Sequence, residues 1–265
     1  MKSNFIDPKK VRKTIVEILY HSKGSHLGTN LSAVESLIGM YSFVDKNKIL
    51  NNDENRERVI ISKGHCSAAT CSILYHNGIL KSDEIKTYHK DNSKLAGHVS
   101  HAVNGIEHST GALGHGLSVA LGCAIGLRAR NNNSLVMTLC GDGEIQEGSI
   151  WEAIMLISHL KLNNFIIIID NNKISSITDT HKVIDMRPIK NRFIGFGLNV
   201  HEVNGHDVEK IQNSISKIIN SNLPGVIIAN TIKGKGLSFS ENEPIWHYRN
   251  LSDEFYKKAI QELDL

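Results

Sequence analysis

The chain is poor in residues that cross-link, stiffen or insert. Its 265 residues hold four cysteines and four prolines, and aromatics make up 6%. Cys66, Cys71, Cys123 and Cys140 show no metal-type pairing and no disulfide framework. Cys140 ends an apolar run and Cys123 lies among small residues, so buried free thiols are expected. No apolar run approaches the ~20 residues of a membrane span, and the first residues lack the apolar core of a leader. A cytoplasmic location is the expectation. Charge of one sign is scarce as well. Thirty Lys and Arg against 27 Asp and Glu leave a formal +3, which gives no electrostatic reason for nucleic acid or a membrane surface as partner.

What is present fits one large α/β domain spanning residues 1–265, with a hydrophobic share of 40% and a charged share of 22%. Fourteen histidines stand out, several of them beside glycine.

Residues 135–174 carry the clearest chemistry. Leu135 to Leu139 and Phe165 to Ile169 read as buried strands, and Trp151, Ile154, Ile157 and Leu160 between them repeat at helical spacing. In open parallel sheets, ligands sit beyond the carboxyl ends of the strands. Asp142 and Asn172, thirty positions apart, are therefore expected to meet in space. A carboxylate and an amide oxygen are hard ligands suited to Mg²⁺ or Ca²⁺, ions that commonly share their shell with phosphate. Gly141 and Gly143 would let the backbone come close to an anion.

Elsewhere, Asp7-Pro8 opens a helix, a second helix is expected over residues 31–44, and Arg58 to Ser62 reads as a strand. Asn199 to Val203 and Pro224 to Ala229 are two further strands, and Asp207 caps a helix between them. Ser252 to Leu265 reads as an amphipathic helical tail. The alternation of strands and helices predicts a doubly wound, mostly parallel sheet with helices on both faces.

Several motifs together resemble the transketolase family. Gly141-Asp142-Gly143, then twenty-seven residues, then Asn171-Asn172 is similar to the thiamine-diphosphate signature. Gly24-Ser-His26-Leu-Gly28, Ser62-Lys-Gly-His65, Gly97-His98 and Gly105-Ile-Glu-His-Ser-Thr-Gly111-Ala-Leu113-Gly114 resemble the family's other loops, and Trp246-His247 resembles its late histidine loop. The resemblance implies the diphosphate-binding domain of the thiamine-diphosphate-binding fold. It implies that His26, His65, His98 and His247 surround the reacting carbons and the diphosphate. It also implies that Gly111, Leu113, Gly114, Gly141, Asp142, Gly143 and Asn172 contact the cofactor. Asp142, Asn172 and the Ile174 carbonyl would bind Mg²⁺, with Ca²⁺ or Mn²⁺ as alternatives, and Glu147 would stand at a subunit contact. The sequence departs from the family at Val99, where proline is usual, and at His115, where glutamine is usual. His101 and His108 have no family role.

The resemblance runs from about residue 8 to 260 and covers only the first part of an ordinary transketolase. The domain that holds the aminopyrimidine ring and supplies its activating glutamate has no counterpart here. The expectation is a split enzyme: this chain, with a separately encoded C-terminal subunit, forms a heterotetramer of two copies of each. It would transfer a two-carbon ketol group between sugars or sugar phosphates. Rival readings are the α subunit of a 2-oxo-acid dehydrogenase or decarboxylase, a non-catalytic remnant that binds a partner, and a protein holding another phosphorylated ligand through magnesium.

Overall fold

Among the described residues, four apolar runs and the mixed segment Asn199–Asn204 form five parallel strands, and the alternation along the apolar four builds a core on each face. The computed structural model describes residues 6–264. β1 (Arg58–Ile61), β2 (Val136–Gly141), β3 (Phe165–Asn171), β4 (Asn199–Asn204) and β5 (Gly225–Asn230) lie in the order β1-β2-β3-β5-β4. Every pairing is parallel. β3 is buried along its whole length, as a strand covered on both faces must be. Ile166 and Ile168 join Met137, Leu139 and Ile227 on one side, whereas Phe165, Ile167 and Ile169 join Val136, Cys140 and Ile228 on the other. Helices Pro8–Ser22, Val34–Tyr41, Ser67–His76 and Val208–Ser221 cover the first side. Helices His115–Ala129 and Gly148–His159 cover the second. This is the expected doubly wound α/β arrangement.

Asp7 and Asp207 cap as expected, accepting from Lys9 N at 2.9 Å and Lys210 N at 3.0 Å. The four cysteines are free thiols, Cys123 half-buried and the others buried. No described helix is long and apolar enough to cross a membrane.

Two features differ from expectation. The single helix over 31–44 is instead a pair, Leu27–Ser32 and Val34–Tyr41. The break coincides with side-chain bonds to the Thr29 carbonyl, which accepts from Lys63 Nζ at 3.2 Å and Ser32 Oγ at 3.1 Å. Such donors compete with the helical ladder. β2 and β3 also run two residues further than their apolar runs. They are inner strands, and the register carries Gly141 opposite Asp170 and Asp170 opposite Ala229. Polar residues thus enter the sheet at its carboxyl edge. Because all strands point the same way, the segments after β1, β2, β3 and β5 come together there.

Candidate functional site

The segments after β2 and β3 are clipped to each other. Asp142 N donates to the Asp170 carbonyl at 3.2 Å, and Lys173 N donates back to Asp142 Oδ2. Asp142 Oδ1 accepts from Gly143 N at 2.8 Å. Asn172 Oδ1 accepts from Ile174 N at 3.1 Å, while its Nδ2 donates to Asp170 Oδ2 at 3.2 Å. The Ile174 carbonyl accepts from Lys233 Nζ at 3.2 Å. The Asp142 side chain is only 5% exposed and receives hydrogen bonds from backbone alone. Burial and the neighbouring Asp170 charge push it up to about 7. The loop therefore holds a carboxylate short of positive charge.

Four histidines from distant segments converge nearby. The His26 ring lies 5.6 Å from His65, 5.6 Å from His98 and 4.9 Å from His247, and His65 lies 5.5 Å from His247. Backbone bonds hold them. His26 N donates to the His247 carbonyl at 3.0 Å, and Asn30 Nδ2 donates to the His26 carbonyl at 2.7 Å and the His65 carbonyl at 3.3 Å. Asn30 Oδ1 is in turn held by Ala69 N at 2.8 Å. His26 takes a left-handed backbone, φ 67°, which non-glycine residues rarely adopt. His98 packs over Gly111, where a Cβ would lie 3.5 Å from the ring.

Lys233 joins the two groups. Besides Ile174, its ammonium donates to the Ser175 carbonyl at 2.5 Å and His247 Nδ1 at 3.3 Å. Burial, and the Lys63 charge next, lower it to about 8. With Nδ1 accepting, the His247 proton sits on Nε2. Gly28 makes room for the lysine stem, since a Cβ there would meet Lys233 Cγ at 3.2 Å. Burial first, and then nearby positive groups, lower His26 to about 4 and His247 to about 3, with His65 and His98 also lowered. Near neutral pH all four rings are uncharged.

The glycine turns behave differently from the expectation of amides aimed at an anion. Gly114 N and Gly141 N donate to Glu144 Oε1 at 2.9 Å and Oε2 at 3.0 Å, and Ser62 Oγ donates to the same carboxylate. Gly143 N is committed to Asp142. The anion these amides meet is thus the protein's own. Glu144, 2% exposed, ties the ends of β1 and β2 to the start of helix His115–Ala129. Gly114 needs its freedom, at φ 81°: a Cβ would lie 2.5 Å from Ser149 Oγ and 2.8 Å from Glu147 Cβ. Glu147 is exposed beside that turn, ahead of helix Gly148–His159, and Leu113 is 40% exposed. His108 and His115 are exposed too, and His101 Nδ1 lies 2.7 Å from Ser109 Oγ.

Sequence reading passed over Asn30, Lys63, Glu144, Asp170 and Lys233. The Ser-Lys-Gly-His and Thr-Ile-Lys-Gly-Lys contexts offered a signal for the two lysines. The other three carry no local mark.

A family profile described as "Transketolase, thiamine diphosphate binding domain" matches residues 6–263. A protein of Actinobacillus succinogenes, named as one subunit of an apulose-4-phosphate transketolase, is 38% identical over 96% of this chain and 94% of its own length. The 6-deoxy-6-sulfo-D-fructose transketolase subunit SqwG of Clostridium sp. is 31% identical over 96% of this chain and 94% of its own length. The crystal structure of Campylobacter jejuni transketolase superposes with a TM-score of 0.86 at 30% identity, over 97% of this chain. This chain spans only 42% of that one. The match along nearly its whole length assigns the chain to the transketolase family, as a bearer of that family's thiamine-diphosphate-binding domain.

Proposed function

We propose that residues 1–265 act as the diphosphate- and magnesium-binding subunit of a two-chain transketolase. The assembly would move a two-carbon ketol group from a ketose to an aldose, the sugars often phosphorylated. The observation that carries this reading is the four-histidine cluster joined through Lys233 to the Asp142–Asn172–Ile174 loop. Support for a partner comes from coverage: the chain spans 42% of a solved transketolase but 94% of a relative named as one subunit.

The residues fit a divalent cation. Asp142 is buried with no cationic side chain bonded to it, and the available donors are a carboxylate, an amide oxygen and a main-chain carbonyl. Among the described residues no cluster of three His, Cys, Asp or Glu side chains could hold a metal. An all-oxygen, low-charge set suits a hard ion that completes its shell with phosphate and water, which is the habit of Mg²⁺. Asp142, Asn172 and the Ile174 carbonyl would hold it, and Lys233 would face the same diphosphate charge.

Thiamine diphosphate, when bound, supplies the electron sink for the two-carbon carbanion. The chain's own part is to orient and to shift protons. His247 offers its Nε2 proton to a sugar oxygen while Lys233 holds its other nitrogen. His26, His65 and His98 arrive neutral, each able to donate at one ring nitrogen and accept at the other. Glu147, exposed beside the Gly114 turn, would face the partner, and Leu113 on the same turn would contact the cofactor.

The test is reconstitution with the separately encoded chain that carries a pyrimidine-binding domain. Ketol transfer from a ketose should require both chains, thiamine diphosphate and Mg²⁺. Full activity of this chain alone would overturn the split reading. Decarboxylation of pyruvate without ketol transfer would overturn the reaction.

A further inference from the structure

Asp170, next to last in β3, has a side chain with no exposure, and the chemistry above gives it no part. Its Oδ2 accepts from Ser32 Oγ at 2.6 Å, from Asn172 Nδ2 at 3.2 Å and from the Lys63 ammonium, while Oδ1 accepts from Thr231 Oγ1. Its main-chain carbonyl accepts from Asp142 N at 3.2 Å. One residue therefore touches both Asp142 and Asn172, the two side chains assigned to the cation.

The contact with Asn172 has a chemical consequence. A primary amide has unlike ends, an oxygen that accepts and an NH₂ that donates, and the two are nearly the same size. An ionised carboxylate only accepts, so it draws the NH₂ end and repels the oxygen. Were Asn172 turned round, its oxygen would face Asp170 Oδ2, two acceptors with no proton between them. Its NH₂ would then face Ile174 N, which now donates to Oδ1 at 3.1 Å. Both contacts would be lost together. Orientation matters because a hard divalent ion binds the amide oxygen and has no use for the NH₂ end. Lys63 supplies the opposite charge that lets the carboxylate stay ionised in a dry site.

We propose that Asp170 is a positioning residue: by holding Nδ2 it fixes Asn172 with the amide oxygen presented to the divalent cation. The inference rests on the reading of Asp142, Asn172 and Ile174 as the cation site.

The test uses Mn²⁺ as probe, followed by electron paramagnetic resonance in the complex of the full chain with its partner and thiamine diphosphate, so that no turnover is needed. Outer partners of metal ligands typically contribute about 10–100-fold in affinity, so Asp170→Asn should weaken Mn²⁺ binding by about tenfold or more. The swapped variant Asp170→Asn/Asn172→Asp puts a carboxylate at 172, which offers oxygen whichever way it turns. It should bind Mn²⁺ within about threefold of the unaltered complex, a recovery that a merely structural role of Asp170 would not produce. The inference is overturned if Asp170→Asn binds Mn²⁺ as the unaltered complex does, or if the folded swap binds as poorly as the single variant. Where Asp170→Asn does not fold, the swap alone decides on the same criterion. Failure of the unaltered complex to take up Mn²⁺ sinks the cation site itself, an outcome separate from either of these.

Discussion

Replacing Asp142 by Asn should make the metal-free chain more stable and the loaded one weaker. The structure sets the size of the first effect. Asp142 is buried, and its folded value of about 7 stands above the ordinary 3.8. The folded state therefore binds the proton more tightly than the unfolded state does. The cost of the charge is absent below the unfolded value, grows as pH rises, and is complete above the folded one. At about 1.4 kcal/mol per unit, it reaches about 4 kcal/mol at pH 8 and under ~2 kcal/mol at pH 5. Asn removes the charge but turns one acceptor into a donor facing a backbone N–H, at Gly143 or Lys173, which costs about 1 kcal/mol or more. The net gain is about 3 kcal/mol at pH 8 and nearly nothing at pH 5. Urea denaturation in EDTA, followed by the fluorescence of Trp151 and Trp246, measures both. Calorimetry with Mg²⁺ and thiamine diphosphate should meanwhile show the variant's binding lost. A variant less stable than its parent at pH 8 would refute the reasoning, as would a gain that does not shrink toward pH 5.

Further outcomes follow from single contacts. Gly114→Ala should cost about 2 kcal/mol or more from its left-handed backbone and the crowding at Ser149 and Glu147, read as a lowered melting temperature. Glu144→Gln should cost about 1–3 kcal/mol, because an NH₂ would face one of the backbone amides that the carboxylate now accepts. The same melts check it, and an unchanged midpoint would remove Glu144 as the tie between β1, β2 and the Gly114 turn. His26 and His247 sit below their ordinary value, so the unfolded state binds more protons as pH falls through about 6.5. The chain should lose stability from pH 7 toward pH 4, and His247→Gln should remove part of that loss. A variant whose pH profile of stability matches the parent's would contradict the lowered value.

Much of the architecture was legible because its causes are local. The run Phe165 to Ile169 can bury both faces only as an inner strand, and Asp7 and Asp207 announce helix starts by chemistry that needs no distant partner. The site was legible in part for the same reason. Glycine-histidine loops and the Gly-Asp-Gly to Asn-Asn spacing survive as short motifs, so four histidines and the Asp142–Asn172 pair could be named before they were seen together. What escaped depends on neighbours far away in the chain. Glu144 looks like any acidic residue after a strand until Gly114 and Ser62, thirty and eighty-two positions away, spend their donors on it. The expected helix over 31–44 breaks beside Thr29, whose carbonyl Lys63 reaches from another segment.

Sequence alone was enough to establish the alternation of strand and helix and the relatedness to transketolases, both of which are written in local pattern. Only the tertiary structure decided how charge and orientation are arranged. Parallel strands ending along one edge bring Lys63, Asp142, Asp170, Asn172 and Lys233 into a space closed to water. There each unpaired donor or acceptor costs more than it would in solvent, and so each must find a partner that the linear order does not reveal.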